Sequence, residues 1–145
     1  VKHDRARALL LDGDPVALDA MRGALQRCGV GTLAALDGTT GVTLLLEELL
    51  TLDVIVVDLH LPDRDARRIA WMIRHAGGDR DLAIVVVVPD ASAALRAELL
   101  ALGVDAVVER RKGPEVVALA ALEVIRARAV AGAFPPFRAP VGAAA

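Results

Sequence analysis

The chain holds a single cysteine and hardly any aromatic residues. Cys28 has no internal partner, so no disulfide framework exists, and its plainest reading is a buried core thiol. Trp71, Phe134 and Phe137 are the only aromatics, so the interior must be built from small aliphatic side chains. The three histidines, His3, His60 and His75, are scattered, and no Cys/His cluster has metal-ligand spacing. No apolar stretch approaches the roughly 18–20 residues that span a bilayer. Lys2-His-Asp-Arg-Ala-Arg7 leads into only a short apolar run, which is not a signal-peptide pattern, so a cytoplasmic setting is expected. The net charge of -2 and pI of about 5.9 exclude a nucleic-acid footprint spread over the whole domain.

Aliphatic sequence is abundant. The 145 residues are 55% hydrophobic, enough for one domain with a substantial core. Five apolar runs read as strands: Ala8–Leu11, Val30–Leu36, Val54–Val57, Leu82–Val88 and Val104–Val108. Five helical stretches alternate with them. Their one-face repeats are Leu18, Met21, Leu25 and Cys28; Val42, Leu45, Leu46 and Leu49; Ile69, Met72, Ile73 and Ala76; Leu95, Leu99 and Leu102; and Val117, Ala121 and Val124.

The caps agree with that division. Asp14-Pro15 places an acid before a proline at a first helical position. Gly29, Gly77 and Gly103 stand where helices should stop, and Gly113-Pro114-Glu115 opens the last helix. Regular βα alternation with short loops predicts an α/β fold, a parallel sheet covered by helices on both faces. The first, third and fourth strands are the most continuously apolar, which suits a flavodoxin-like order 2-1-3-4-5. That order sets the carboxyl ends of strands one and three side by side. Residues 1–130 then form the domain, and the Pro/Ala-rich stretch 131–145 reads as a tail or linker.

Two acidic strand ends carry the chemistry. Leu-Leu-Leu-Asp12-Gly-Asp14-Pro15 closes the first strand. Asp53-Val-Ile-Val-Val-Asp58-Leu-His-Leu-Pro62-Asp-Arg-Asp65 closes the third, with Pro62 stiffening the turn. In the expected order Asp12 and Asp58 converge in one shallow cleft at the topological switch point. Asp14 is placed to cap the following helix. Arg110 either reaches Asp58 across the cleft or lies in solvent. Arg64, Arg67 and Arg68 read as a solvated helix start, and Trp71 as a helix-face packing residue.

From about Arg7 to Arg128 the chain resembles the CheY-like receiver domains of two-component response regulators. The resemblance rests on the two acidic segments above and on Leu102-Gly103-Val-Asp105-Ala. It implies that Asp58 is the phosphoacceptor and that the domain is a bacterial signalling module, not an enzyme. It also implies a Mg2+ ion, held weakly by Asp12, Asp58 and the backbone carbonyl of His60, because a divalent cation neutralises the incoming phosphoryl charge. The partners implied are a histidine kinase or other phosphodonor. A second copy or partner would dock through the face made by the fourth helix, fifth strand and fifth helix, here Leu95–Leu102, Val107 and Val116–Ile125.

The departures from the family pattern are specific. Gly13 stands where the family has a second acid, Val88 where it has Thr or Ser, and Arg110-Arg111 where it has Lys-Pro. Val107 replaces the usual aromatic of the fifth strand, Pro89 follows Val88 where a small residue is usual, and Ala66 replaces a glycine. Arg110, the candidate phosphate contact, keeps a positive charge, but its planar fork is not a lysine point charge. These changes open an alternative: a phosphorylation-independent pseudo-receiver acting as an interaction or dimerisation module. Leu-Leu-Leu-Asp12-Gly-Asp14 also resembles the first motif of haloacid-dehalogenase-type phosphatases, which leaves Asp58 and Pro62 without a role. A flavodoxin proper would need a Ser/Thr/Gly-rich phosphate loop after the first strand, and none follows.

Overall fold

The computed structural model describes residues 5–76 and 82–133. Five parallel strands, β1 Arg7–Leu11, β2 Gly31–Ala35, β3 Val54–Asp58, β4 Ala83–Val88 and β5 Ala106–Glu109, form one sheet in the order β2-β1-β3-β4-β5. Five helices alternate with them: α1 Pro15–Arg27, α2 Gly38–Glu48, α3 Ala66–His75, α4 Ala93–Ala101 and α5 Pro114–Ala133. The expected flavodoxin-like fold is the observed one. The central strands β1, β3 and β4 are the most deeply buried, and β2 is an edge.

The strand alternation builds two cores from the same strands. Ala8 and Leu10, Val54 and Val56, and Ala83, Val85 and Val87 pack against α1 and α5 through Leu18, Met21, Leu25, Val117 and Ala121. Leu9 and Leu11, Ile55 and Val57, and Ile84, Val86 and Val88 face α2, α3 and α4 through Leu45, Ile69, Ile73 and Leu99. Ala8–Leu11, Val54–Val57 and Ala83–Val88 of the central strands are thus continuously apolar, as a sheet covered on both faces requires. Small residues bring the layers close. A Cβ on Gly41 would overlap the Leu11 side chain, so α2 lies against β1 only because position 41 is glycine.

Helix ends follow the capping chemistry. Asp14 Oδ1 accepts from Val16 N at 2.9 Å, with Pro15 at the first turn. Gly29 and Gly103 take φ of 80° and 94°, the left-handed backbone that favours glycine after a helix. Asp37, Asp65 and Ser92 cap α2, α3 and α4 through their side chains, three caps outside the sequence reading.

Several expectations need correcting. Cys28 is exposed, because it falls at the end of α1 beyond the last buried turn. Leu46 also faces outward, at 64% exposure, while its neighbour Leu45 is buried. Trp71 lies on the solvent side of α3, 55% exposed and stacked on His75 with ring centroids 4.4 Å apart. The packed face of α3 is filled instead by Ala66, Ile69, Ala70 and Ile73. α5 continues to Ala133, three residues into the stretch read as tail. Gly77, His3, Phe134 and Phe137 lie outside the described residues.

Candidate functional site

The register of the central strands creates the site. Leu11 pairs with Val57 across β1 and β3, so the next residues, Asp12 and Asp58, stand side by side at the carboxyl edge of the sheet. Val88 pairs with Glu109 across β4 and β5, so Arg110 emerges at the same edge, on a single 3-10 turn, Arg110–Lys112. The sheet therefore gathers two acids and one cation from three separate strand ends.

Their geometry is close. Arg110 Nη2 lies 2.9 Å from Asp12 Oδ2 and 3.0 Å from Asp58 Oδ1, so one nitrogen bridges both carboxylates. Asp12 is 1% exposed, the sole buried polar or charged residue among those described. Its other oxygen, Oδ1, accepts from Asp14 N at 2.9 Å, and its own amide donates to the Ala35 carbonyl. A carboxylate so deeply buried needs a partner cation, and Arg110 supplies it. Arg110 keeps 37% of its side chain exposed, and Asp58 keeps 17%.

The three charges do not balance. Burial pushes the Asp58 carboxyl above its ordinary value of 3.8, and the Asp12 charge pushes the same way. Arg110 draws it back by charge and hydrogen bond without cancelling the first two effects. Desolvation works against the Arg110 cation, yet its hydrogen bond to Asp12 and the charges of both aspartates hold its pKa above the ordinary value. Burial is the leading cause at Asp58, and one cation shared between two acids leaves one net negative charge in the cleft.

The loop after Asp58 is fixed at both ends. Leu59 N donates to the Val87 carbonyl, Ala66 N donates to the Leu59 carbonyl, and His60 and Asp65 form an isolated antiparallel bridge. Asp63 was not singled out as a site residue in the sequence, but it latches this loop to α2. Its Oδ1 accepts from Gly38 N at 2.6 Å, and its Oδ2 accepts from Thr39 N and Thr39 Oγ1 at 2.9 and 2.8 Å. The Gly38 and Thr39 bonds lower the Asp63 pKa to about 2. Arg67 bonds Asp65 and also Glu98 of α4, at 2.8 and 2.7 Å. Arg67 is thus an intramolecular tie, whereas Arg68 is exposed as expected.

The positions where the sequence departs from the family pattern are equally clear. Val88 is fully buried and Val107 is 7% exposed, both packed in the α2–α3–α4 core. Neither brings a hydroxyl or an aromatic ring to the cleft. Gly13 has no side chain, and a Cβ there would lie 3.0 Å from Cδ and Cγ of Pro62. Asp14 is engaged as the α1 cap. Among the described residues no group of three or more His, Cys, Asp or Glu side chains could hold a metal ion. Asp12 and Asp58 are two oxygen donors of the kind Mg2+ accepts, but both already face a cation. As arranged, the residues fit a divalent ion poorly.

The apolar face expected to bind partners is largely internal. Leu99, Val107, Val117 and Ala121 are buried, and among the large apolar residues of α4, β5 and α5 only Leu100, Val116, Leu119 and Val130 exceed 40% exposure. No helix among the described residues is long and apolar enough to cross a membrane.

No family model matches the chain. In sequence it is 29% identical over 84 residues to the two-component response regulator ORR21 of rice, Oryza sativa subsp. indica, a match covering 58% of this chain and 12% of that protein. It is 28% identical over 81 residues to rice ORR22, covering 56% and 11%. The chain thus spans only a small part of the curated relatives it matches. Among solved structures it is similar to a response regulator receiver domain from Clostridium thermocellum, with a TM-score of 0.77 and 17% identity, covering 86% of this chain and 98% of that one. A CheY-like receiver domain from Methanospirillum hungatei gives a TM-score of 0.73 at 19% identity, covering 88% and 98%. A signal receiver domain from Vibrio parahaemolyticus gives 0.78 at 13%, covering 92% and 99%. Strand order, acidic strand ends and these likenesses agree: the fold is that of the CheY-like receiver domain of two-component response regulators.

Proposed function

We propose that the chain is the receiver module of a two-component signalling protein whose docking state is set without phosphoryl transfer. Asp58 stands at the phosphoacceptor position, and the working unit runs to the end of α5 at Ala133. The observation that carries the reading is the single Arg110 nitrogen shared by Asp12 and Asp58. It compensates the acid cleft from within the fold. A population shift requires that phosphorylation favour one of two states. Val88 and Val107, locked in the core, supply neither of the groups the family uses to make that difference. The module works by protein contacts, with a second copy or an output partner, and carries no catalytic role of its own. The phosphatase alternative gains nothing from the site, since Asp14 is occupied at the start of α1.

Sedimentation velocity on untreated protein, on protein treated with acetyl phosphate and Mg2+, and on Asp58→Asn tests the reading. The expected result is the same association state in all three. Association that appears only after treatment and is absent from Asp58→Asn overturns it. A second reading, a working phosphoacceptor, is favoured by the position of Asp58 at the rim with part of its carboxylate open to solvent. Intact-mass measurement after the same treatment separates the two: a phosphoryl adduct on the wild type, missing from Asp58→Asn, supports the second.

A further inference from the structure

We infer that Arg110 is the resident cation of the Asp12–Asp58 pair and excludes divalent metal from it, so that metal binds this domain only when Arg110 is unseated. The inference rests on the receiver reading only for the identity of the two acids. Its own basis is the geometry of the cluster.

Three observations converge. First, the bridging nitrogen sits within hydrogen-bond distance of one oxygen from each carboxylate, 2.9 and 3.0 Å. A metal using those two oxygens must occupy the space between them, and like charges cannot share it. Second, the remaining Asp12 oxygen accepts from Asp14 N at 2.9 Å, so both Asp12 oxygens are already engaged while Arg110 stays seated. Third, the position that could add a third carboxylate is Gly13, which has no side chain, and an added Cβ there would crowd the Pro62 ring at 3.0 Å. The donor set therefore stays at two acids, and one guanidinium already meets them. Arg110 is nonetheless able to leave, since 37% of its side chain is exposed and it stands on one 3-10 turn just before Gly113, which has φ of 95°.

Metal entry must break the charge-assisted Arg110–Asp12 hydrogen bond and the Arg110–Asp58 ion pair. Removing that competitor should tighten divalent binding by on the order of tenfold to a hundredfold. Seating Arg110 and binding metal are thus mutually exclusive states of one cleft, and whatever pulls Arg110 outward, a partner's carboxylate for instance, also opens the metal site.

The test uses Mn2+ as the probe, followed by electron paramagnetic resonance of the free ion and by calorimetry, at matched ionic strength. The variants are Arg110→Gln, Arg110→Lys and the double variant Asp12→Asn with Arg110→Gln, and circular dichroism verifies that each is folded. Arg110→Gln is expected to bind Mn2+ at least about tenfold more tightly than the wild type, and the double variant to lose that gain. Arg110→Lys, which keeps the charge but not the guanidinium that bridges both acids, is expected to bind Mn2+ more tightly than the wild type and less tightly than Arg110→Gln. If Arg110→Gln fails to fold alone, Mn2+ should restore its thermal transition while leaving the wild-type transition unmoved. Equal Mn2+ affinity in wild type and Arg110→Gln, whether tight or weak, overturns the inference, as does a gain that survives Asp12→Asn. None of these outcomes depends on phosphorylation or self-association, so the inference can fail while the receiver reading stands, and the reverse.

Discussion

The two ends of the sheet each carry an Asp–Arg cluster, and the clusters differ in their balance. At the amino end, Asp105 stands alone between two cations. Its Oδ2 accepts from Arg74 Nη2 at 3.0 Å and from Ile84 N at 2.7 Å, and its Oδ1 accepts from Arg128 Nη2 at 2.8 Å. One acid thereby ties α3, β4 and α5 together, and Arg74 adds bonds to the Leu82 and Gly103 carbonyls. At the carboxyl end the proportion is inverted, with two acids around one cation. An acid with a cation on each of its oxygens is a fastener. A cation divided between two acids leaves a charge deficit, and that deficit marks the end of the molecule where a ligand, a modification or a partner can change the balance.

The largest effect should come from breaking the fastener. Asp105→Ala leaves Arg74 and Arg128, 17% and 26% exposed, without that acid and removes the ion-pair link of α3 and α5 to the start of β5. A loss of about 3 kcal/mol is expected in denaturant unfolding, in the range for removing one member of a largely buried pair. A loss near zero would mean that the amino-end cluster is ornamental.

Arg110→Ala should cost less, about 2 kcal/mol, because water reaches the half-exposed guanidinium position and partly compensates Asp12. The contrast sharpens if Asp12→Asn is added. The double variant should recover part of the loss, since the buried charge goes with its partner. Failure to recover any of it would mean that Arg110 acts by packing rather than by neutralising Asp12.

A small effect of opposite sign is expected at Asp58. Its carboxyl pKa is raised by folding, so the folded state binds a proton more readily than the unfolded chain, and ionised Asp58 is a penalty at neutral pH. Asp58→Asn should therefore gain stability at pH 7, within about 1 kcal/mol. The gain should shrink as pH falls through the raised value and vanish below the ordinary 3.8. Asp63 has the reverse dependence. Its pKa is lowered to about 2, so its latch on α2 stabilises the fold fully above 3.8 and is lost as pH falls through 2. The stability difference between wild type and Asp63→Asn should be flat at neutral pH and close in acid.

The fold was legible because its signals are local. Apolar runs, acid-proline and glycine caps, and acids at strand ends each lie within a few residues, and together they suit the observed arrangement of the sheet. Asp12 and Asp58 were legible as a pair for the same reason. What stayed hidden depends on distance along the chain. Arg110 meets Asp12 across 98 positions, Asp63 meets α2 across about 25, and Asp105 collects arginines 31 and 23 positions away. No local pattern distinguishes an arginine that bridges two acids from one in solvent. Trp71 and Cys28 were misread for a related reason. A helical repeat shows that residues share a face, but the sheet decides which face is covered and where the coverage ends.

The central claim is that the acid cleft is compensated internally and is uncoupled from the α4–β5–α5 side of the fold. Amide hydrogen exchange followed by mass spectrometry tests it most directly, on wild type with and without acetyl phosphate and Mg2+, and on Asp58→Asn. The account predicts unchanged protection in peptides covering α4, β5 and α5 under every condition. Protection that changes there in the treated wild type, and not in treated Asp58→Asn, would contradict it.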